Sequence, residues 1–257
     1  MQPYYEHAGI QIFLGDCREI LPGLAYDVVL TDPPYGIAHP TDYAKRGRGK
    51  LAACSDYAPV FEDNRPFDPS HLISKPCVLW GANHFADKLP PSSGWLIWDK
   101  ERPDDLDQAT AELAWSNFVK GVRRFRHMWN GMLRASENGP LSHPTQKPIA
   151  LWAWVLGLRW MPAGVIADPY MGAGSLLIAA KDAGRKAIGI EIEEKYAEIA
   201  ARRLEQEVLQ FPYEEQRASV QGSLLAEVEG EEQASEAAPL LFLPDGVLPP
   251  RATKAVR

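Results

Sequence analysis

The chain has 257 residues, of which 46% are hydrophobic and 24% are charged. This composition is typical of a soluble globular protein, and the length accommodates one domain of about 200 residues with appendages. No apolar run approaches the length of a membrane span, and the first residues lack the basic and apolar regions of a signal peptide. The three cysteines, Cys17, Cys54 and Cys77, lie far apart, which argues against a disulfide framework or a zinc site. We therefore expect a cytoplasmic protein with no membrane anchor and no bound metal.

The net charge of −7 is unevenly distributed along the chain. Residues 212–257 carry eight acidic and four basic side chains, and their Glu, Ala, Ser and Pro content predicts a disordered tail. Two local basic clusters stand out from the acidic background, and local fields matter more than net charge for binding phosphates. These clusters are Lys45, Arg46, Arg48 and Lys50, and then Arg123, Arg124 and Arg126.

The pattern of apolar residues predicts alternating strands and helices. In chain order, strands are predicted at 9–16, 26–31, 77–81, 95–99, 111–118, 122–129, 164–168 and 187–191. Helices are predicted at 17–24, 149–160, 176–183 and 193–210. The strand, helix and strand that begin at residue 164 have the spacing of a βαβ unit, which implies a parallel pair with a right-handed crossover. Residues 37–70 have no such pattern and predict a long, functional or disordered loop.

A proline-rich motif, Thr31-Asp32-Pro33-Pro34-Tyr35-Gly36, directly follows the strand at 26–31. In open α/β sheets, ligands bind where strands end. The two prolines stiffen the loop, so that Asp32 and the loop carbonyls present fixed acceptors while Tyr35 presents a ring. This arrangement suits a flat ring that carries an amino group. The alternative is an ordinary proline-rich turn in which Asp32 caps a neighbouring backbone group.

A second motif runs from Asp168 to Gly174 at another strand-to-helix turn, where Gly172 and Gly174 allow close approach of a ligand. Glu191 ends the next strand, 19 residues after Gly172, where an acid can bind ribose hydroxyls. The loop lacks the Lys-Ser/Thr of a phosphate-binding P-loop and the third glycine of a dinucleotide site. The carboxylate of Asp168 would repel a pyrophosphate but attract the ammonium or sulfonium of S-adenosylmethionine. A plain tight turn is the alternative.

Together these motifs resemble the amino-methyltransferases of DNA. Asp32-Pro33-Pro34-Tyr35 matches their catalytic Asp/Asn/Ser-Pro-Pro-Tyr/Phe, and Tyr170-Met171-Gly172-Ala173-Gly174 matches their Phe-x-Gly-x-Gly, with Tyr in place of Phe. The catalytic motif comes first, and His143-Pro144-Thr145-Gln146-Lys147-Pro148 precedes the cofactor motif. This permuted order resembles the beta subclass, and the likeness extends over residues 9–210.

The resemblance implies a class I S-adenosylmethionine methyltransferase fold, an α/β fold whose seven-stranded, mostly parallel sheet has helices on both faces. We expect the methyltransferase domain at 1–211, with target-recognition loops at 37–70 and 121–143, and the acidic tail at 212–257. The predicted strands fit a seven-stranded sheet only if the two at 111–118 and 122–129 are not both central.

The resemblance also assigns roles to individual residues. A flipped base would be held by Asp32, Pro33, Pro34 and Tyr35. S-adenosylmethionine would be held by Asp16, Thr145, Gln146, Lys147, Asp168, Tyr170, Gly172, Gly174, Ser175 and Glu191. Apart from the resemblance, the charge of the two basic clusters suggests DNA contacts by Lys45, Arg46, Arg48, Lys50, Arg123, Arg124 and Arg126. A plain exposed loop is an equal alternative for the first cluster, and a solvated basic strand face is an equal alternative for the second.

The implied function is a site-specific DNA methyltransferase, of the kind found in restriction–modification systems, that acts on N6 of adenine. Asp rather than Ser at position 32 favours adenine. The alternatives are a cytosine-N4 enzyme and a non-catalytic DNA-binding module on the same fold. The expected partners are double-stranded DNA and a second copy of the chain in a homodimer.

Overall fold

In the computed structural model, the described residues are 1–39, 59–103, 109–130, 133–137 and 141–206. They contain a mixed sheet of nine strands and a separate two-stranded hairpin. In chain order the strands are β1 (Tyr5–His7), β2 (Ile10–Leu14), β3 (Val28–Thr31), β4 (Cys77–Trp80), β5 (Gly94–Asp99), β6 (Ala111–Ser116), β7 (Val122–Arg126), β8 (Trp129–Asn130), β9 (Leu133–Arg134), β10 (Ile166–Asp168) and β11 (Ala187–Glu191). The order across the large sheet is β1-β2-β11-β10-β3-β4-β6-β5-β7.

Seven of these nine strands run in one direction, and β1 and β6 run against them. The strand from Ala111 is therefore central, between β4 and β5, while the strand from Val122 is the last on its edge, as the predicted sheet required. The sheet has nine strands rather than seven because β1 and β7 extend its two edges. The strand predicted over 122–129 ends at Arg126, and Trp129–Asn130 pairs instead with Leu133–Arg134 in the hairpin.

Four α-helices accompany the sheet in the described residues: α1 (Cys17–Ile20), α2 (Ile149–Leu156), α3 (Ser175–Asp182) and α4 (Glu194–Glu205). The predicted first helix is split, since a 3₁₀ turn over Leu21–Gly23 follows α1 and contains Pro22. The second ends earlier than predicted, at Leu156, because Gly157 forms its C-cap. No helix in the described ranges combines the length and apolarity needed to cross a membrane.

The core forms two layers, one on each face of the sheet. Alternate residues of β3 separate, with Val28 and Leu30 in one cluster and Val29 in the other. The first cluster is covered by α2, α3 and α4, which contribute Leu151, Leu176 and Ala197, among others. The second cluster includes α1 and the segment from Phe67 to Phe85. Burial on both faces explains why these parallel strands are almost wholly apolar.

Part of the predicted organisation falls on residues that are not described. Residues 1–207 form one compact unit, and the domain limit at 211 stays a prediction. The predicted tail at 212–257 and most of the loop at 37–70 lie outside the described residues.

Candidate active site

The two motifs meet at one edge of the sheet, where the parallel strands end. Asp32 follows β3 and Asp168 ends β10, which is the neighbouring parallel strand. The hydroxyl of Thr31 donates a buried hydrogen bond of 2.6 Å to Asp168 Oδ1 and so connects the two strand ends. Residues of both motifs, including Asp32, Asp168 and Gly172, line a single cleft. The two strand ends, each predicted separately as a ligand-binding turn, therefore lie side by side in the fold.

The turn from Asp168 to Gly174 is built around Glu191 at the end of β11. The backbone N–H of Gly172 donates to Glu191 Oε2 at 3.0 Å, and the N–H of Glu193 donates to Oε1 at 2.9 Å. Gly174 has a φ of +74° and caps α3, and a Cβ atom there would lie 2.8 Å from the Cβ of Ala200. Glycine is thus needed both for the turn and for close packing against α4.

Two carboxyl groups in the cofactor half, those of Asp168 and Glu191, have pKa values above their usual range. Burial raises the pKa of Asp168 to about 7, in spite of hydrogen bonds from Thr31 and Tyr170 that favour its charged form. Burial likewise raises the pKa of Glu191. Among the described residues, neither carboxyl forms an ion pair within 4.0 Å. Both are therefore suited to a ligand that brings its own positive charge and its own hydroxyl donors.

In the catalytic half, both oxygens of Asp32 are engaged. Oδ1 accepts a hydrogen bond from the Tyr35 hydroxyl, and Oδ2 accepts one from the Lys147 ammonium. The Tyr35 ring is stacked on His84, with centroids 5.1 Å apart and planes inclined by 16°. Burial raises the pKa of Asp32, despite the opposing effect of Lys147.

Thr145, Gln146 and Lys147 all line the cleft. Thr145 donates from its backbone to His143 Nδ1 at 3.3 Å, and burial lowers the pKa of His143 to about 4, so the ring accepts as a neutral imidazole. Gln146 donates to Glu137 Oε1 at 3.1 Å. Lys147 lines the cleft, but its ammonium is paired with Asp32 and not with a cofactor-side acid.

The remaining predicted cofactor residues lie at the same edge. Asp16 follows β2, where it caps α1 and pairs with Arg18 at 2.6 Å. The Tyr170 hydroxyl lies 3.2 Å from His71 Nε2, and Ser175 is buried at the start of α3. No cluster of three or more His, Cys, Asp or Glu side chains with metal-binding geometry occurs in the part of the chain that the structure describes.

Comparisons with known proteins were made on the sequence and on the fold. A family model described as DNA methylase, for the N6 and N4 enzymes, matches residues 95–202, from β5 to α4. The type II methyltransferase M.ScaI of Streptomyces caespitosus is 26% identical over an alignment that covers 80% of this chain and 84% of the relative. The type II methyltransferase M2.LlaDCHI of Lactococcus lactis subsp. cremoris is 25% identical over an alignment that covers 79% of this chain and 92% of the relative.

The chain is similar to the DNA amino-methyltransferases.

The fold is also similar to that of a solved DNA methyltransferase. The solved structure of the PvuII DNA methyltransferase, described as cytosine-N4-specific, superposes with a TM-score of 0.52 at 14% identity, covering 83% of this chain and 92% of that one. At that identity the likeness concerns the fold alone, and it confirms the predicted α/β class. The family match begins after Asp32, so the assignment of the catalytic motif depends on the geometry described above.

The residues predicted to contact DNA are only partly described. Lys45, Arg46, Arg48 and Lys50 lie outside the described residues. The other three lie on the edge strand β7: Arg123 is stacked over Trp160, Arg126 pairs with Asp99 at 3.2 Å, and Arg124 is exposed. Because Arg126 is opposite Asp99 at the end of β5, it lies nearest the edge that carries the site.

Sequence reasoning missed several residues that shape the site. Asp63 is buried and accepts hydrogen bonds from the backbone N–H groups of Gly36 (2.8 Å) and His39 (2.6 Å), which orders the loop after Tyr35. Arg203 on α4 donates to the carbonyl of Ala173 at 2.5 Å. Asp63 and Arg203 hold the two motifs from distant positions in the sequence, so no local spacing of residues predicts their roles. Glu112 and Lys100, which surround Lys147, were missed for the same reason.

Proposed function

We propose that this chain transfers a methyl group from S-adenosylmethionine to the exocyclic N6 of an adenine in double-stranded DNA. The observation that carries the proposal is the single cleft shared by the catalytic carboxylate Asp32 and the glycine turn after Asp168. The family relationship supports DNA as the substrate, and the acidic residue at position 32 favours adenine over cytosine.

The cofactor half fits S-adenosylmethionine on chemical grounds. Asp168 is a buried carboxyl without a cationic partner among the described residues, and it suits the ammonium of the methionine portion. Glu191 is held by two backbone N–H groups and suits the ribose hydroxyls. When bound, S-adenosylmethionine supplies an electrophilic methyl group on sulfur.

The catalytic half prepares the amine for attack. The target base is inside the duplex, so it must rotate out of the stack to reach Asp32. Its amine is a poor nucleophile because the lone pair is delocalised into the ring. Asp32 and the carbonyl of Pro33 accept the two N–H groups, which favours a tetrahedral nitrogen with an available lone pair. The Tyr35 ring, supported from behind by His84, provides a face on which the base stacks.

The nitrogen acquires a positive charge on methylation and must then lose a proton. The carboxylate of Asp32, which already accepts a hydrogen bond from this amine, accepts the proton, and its raised pKa makes it competent to do so. The N–H bond breaks as an O–H bond forms on the carboxyl, and the proton leaves to solvent when the product departs. Orientation of the two reactants supplies much of the rate, up to about 7–11 kcal/mol for well-aligned systems.

Expression in a host free of DNA methylation, followed by single-molecule sequencing of its genome, tests the proposal. The expected result is N6-methyladenine at one recurrent sequence, absent from cells that express Asp32→Ala. N4-methylcytosine would assign the chain to the alternative specificity. An unmodified genome, with soluble protein present, would overturn the proposed activity. Sedimentation of the purified protein tests the expected homodimer.

A further inference from the structure

Lys147 is part of a buried cluster of charges, of which only Asp32 takes part in the methyl transfer described above. Two of its members, Glu112 and Lys100, belong to strands that lie beyond β4 in the order of the sheet. Glu112 lies near the start of β6, and since β6 is antiparallel to β4, this start lies at the edge that carries the site. Lys100 directly follows β5 at the same edge. The side chains of Lys147, Lys100 and Glu112 are only 6%, 11% and 21% exposed.

The ammonium of Lys147 lies between two carboxylates. It donates to Asp32 Oδ2 and is 3.1 Å from Glu112 Oε2. Lys100 Nζ is 2.5 Å from the other oxygen of Glu112. The two lysines and two carboxylates form a chain, Asp32–Lys147–Glu112–Lys100, whose formal charges sum to zero.

This arrangement conflicts with the role of Asp32 in the proposed reaction. Its Oδ1 already accepts from Tyr35 and its Oδ2 accepts from Lys147, so the lysine ammonium stands where an amine donor has to bind. When the target amine arrives, Lys147 has to give up its bond to Asp32. A buried ammonium without an anionic partner costs several kcal/mol, so the displaced charge needs a second acceptor nearby.

We propose that Glu112 is a positioning residue that receives the Lys147 ammonium when the target amine replaces it on Asp32, and that Lys100 holds Glu112 in place. The inference rests on the proposed function. The lysine moves only between two oxygen atoms that it already faces, and no charge leaves the buried cluster. Asp32 is thereby freed for the substrate in its anionic form.

The electrostatics of the cluster support this role. Burial alone would raise the pKa of Glu112, but Lys147 and Lys100 outweigh it and bring that pKa to about 2. The pKa of Asp32 is raised instead, because burial outweighs the contribution of Lys147. Glu112 contacts two ammonium groups, those of Lys100 and Lys147, so it is held as an anion and is available to Lys147 whenever the substrate competes for Asp32.

The test is a comparison of Glu112→Gln with a charge-balanced double variant. Glutamine keeps the shape and an acceptor oxygen but removes the charge, so Lys147 is left with Asp32 as its anionic partner. We expect kcat for methyl transfer to fall about 10- to 100-fold, while the KM and calorimetric Kd for S-adenosylmethionine stay within about twofold of wild type. Glu198→Gln, at an exposed ion pair on α4, is the matched control and should leave kcat unchanged.

The double variant Lys100→Met/Glu112→Gln separates this role from a structural one. It removes one charge of each sign, so the cluster is again neutral and the melting temperature should recover toward wild type. The proposal predicts that kcat remains low, because Lys147 still has no second carboxylate. Recovery of kcat together with stability would overturn the proposal, as would wild-type kcat in Glu112→Gln. Absence of transfer by the wild-type protein would instead refute the proposed function itself.

Discussion

Replacement of Gly81 by alanine tests how far the rate depends on the position of the Tyr35 ring. Gly81 follows β4 with a φ of +69°, and the ring of Tyr35 packs directly against its Cα. A Cβ atom at this position would overlap three atoms of the ring, all closer than the 3.0 Å that real Cβ contacts respect. The ring must therefore move, and it would leave both its stack on His84 and its bond to Asp32.

The expected magnitude follows from two separate effects. Alanine in the left-handed region costs about 1–2 kcal/mol of folding stability, whatever the space around it. Relief of the overlap requires a displacement of the ring by about 1 Å, and a misplacement of that size can lower a rate about 100-fold. Gly81→Ala should accordingly lower kcat by about two orders of magnitude. The affinity for S-adenosylmethionine should be retained, since Gly81 is on the catalytic side of the cleft.

Gly184→Ala is the matched control. Gly184 follows α3 with a φ of +63°, and nothing lies within 4 Å of a Cβ atom built there. This variant carries the same backbone cost without the overlap, so it should lose stability but not kcat. Single-turnover transfer of labelled methyl to duplex DNA gives the rate, and calorimetry gives cofactor binding. If both variants lose activity equally, or if Gly81→Ala is fully active, the ring is not held as described.

Three further perturbations address the cofactor turn and the loop after the catalytic motif. Because burial raises the pKa of Asp168 to about 7 and its anion is the binding form, affinity for S-adenosylmethionine should rise about tenfold between pH 6 and pH 8 by calorimetry. Asp168→Asn should bind more weakly and lose this rise, and a pH-independent wild-type Kd would contradict the assignment. Arg203→Met, which removes the donor to the Ala173 carbonyl, should weaken cofactor binding about tenfold in the same assay, and unchanged binding would show that the turn does not need this support. Asp63→Ala should lower kcat/KM for DNA by at least about tenfold with cofactor affinity retained, and equal effects from Asp63→Ala and the exposed Asp68→Ala would refute its role.

The parts of the fold that follow local rules could be predicted from the sequence. The strands at Val28 and Ile166 are short and apolar; Asp32 directly follows the first, and Asp168 ends the second. Parallel strands end at one edge of a sheet, so the position of each acid at a ligand-binding edge was predictable, whereas the pairing of β3 with β10 was not. The tight turn after Asp168 was predictable because Gly172 and Gly174 adopt left-handed backbone conformations readily.

The residues that surround these motifs could not be predicted, since strand direction and register are tertiary properties. Glu112 lies beside Lys147 only because β6 is inserted antiparallel between β4 and β5. Asp63 reaches Gly36 across a segment of 27 residues that has no periodicity. The resemblance predicts that Lys147 completes the cofactor pocket, and it could not predict that the ammonium lies between the carboxylates of Asp32 and Glu112.

The measurement that tests the central claim most directly is mass spectrometry of nucleosides from duplex DNA treated with the purified protein and S-adenosylmethionine bearing a deuterated methyl group. The account predicts the label on N6 of deoxyadenosine with wild type, and no label with Asp32→Ala, although that variant still binds the cofactor in calorimetry. Label on deoxycytidine, or deoxyadenosine labelled by Asp32→Ala, would contradict the account.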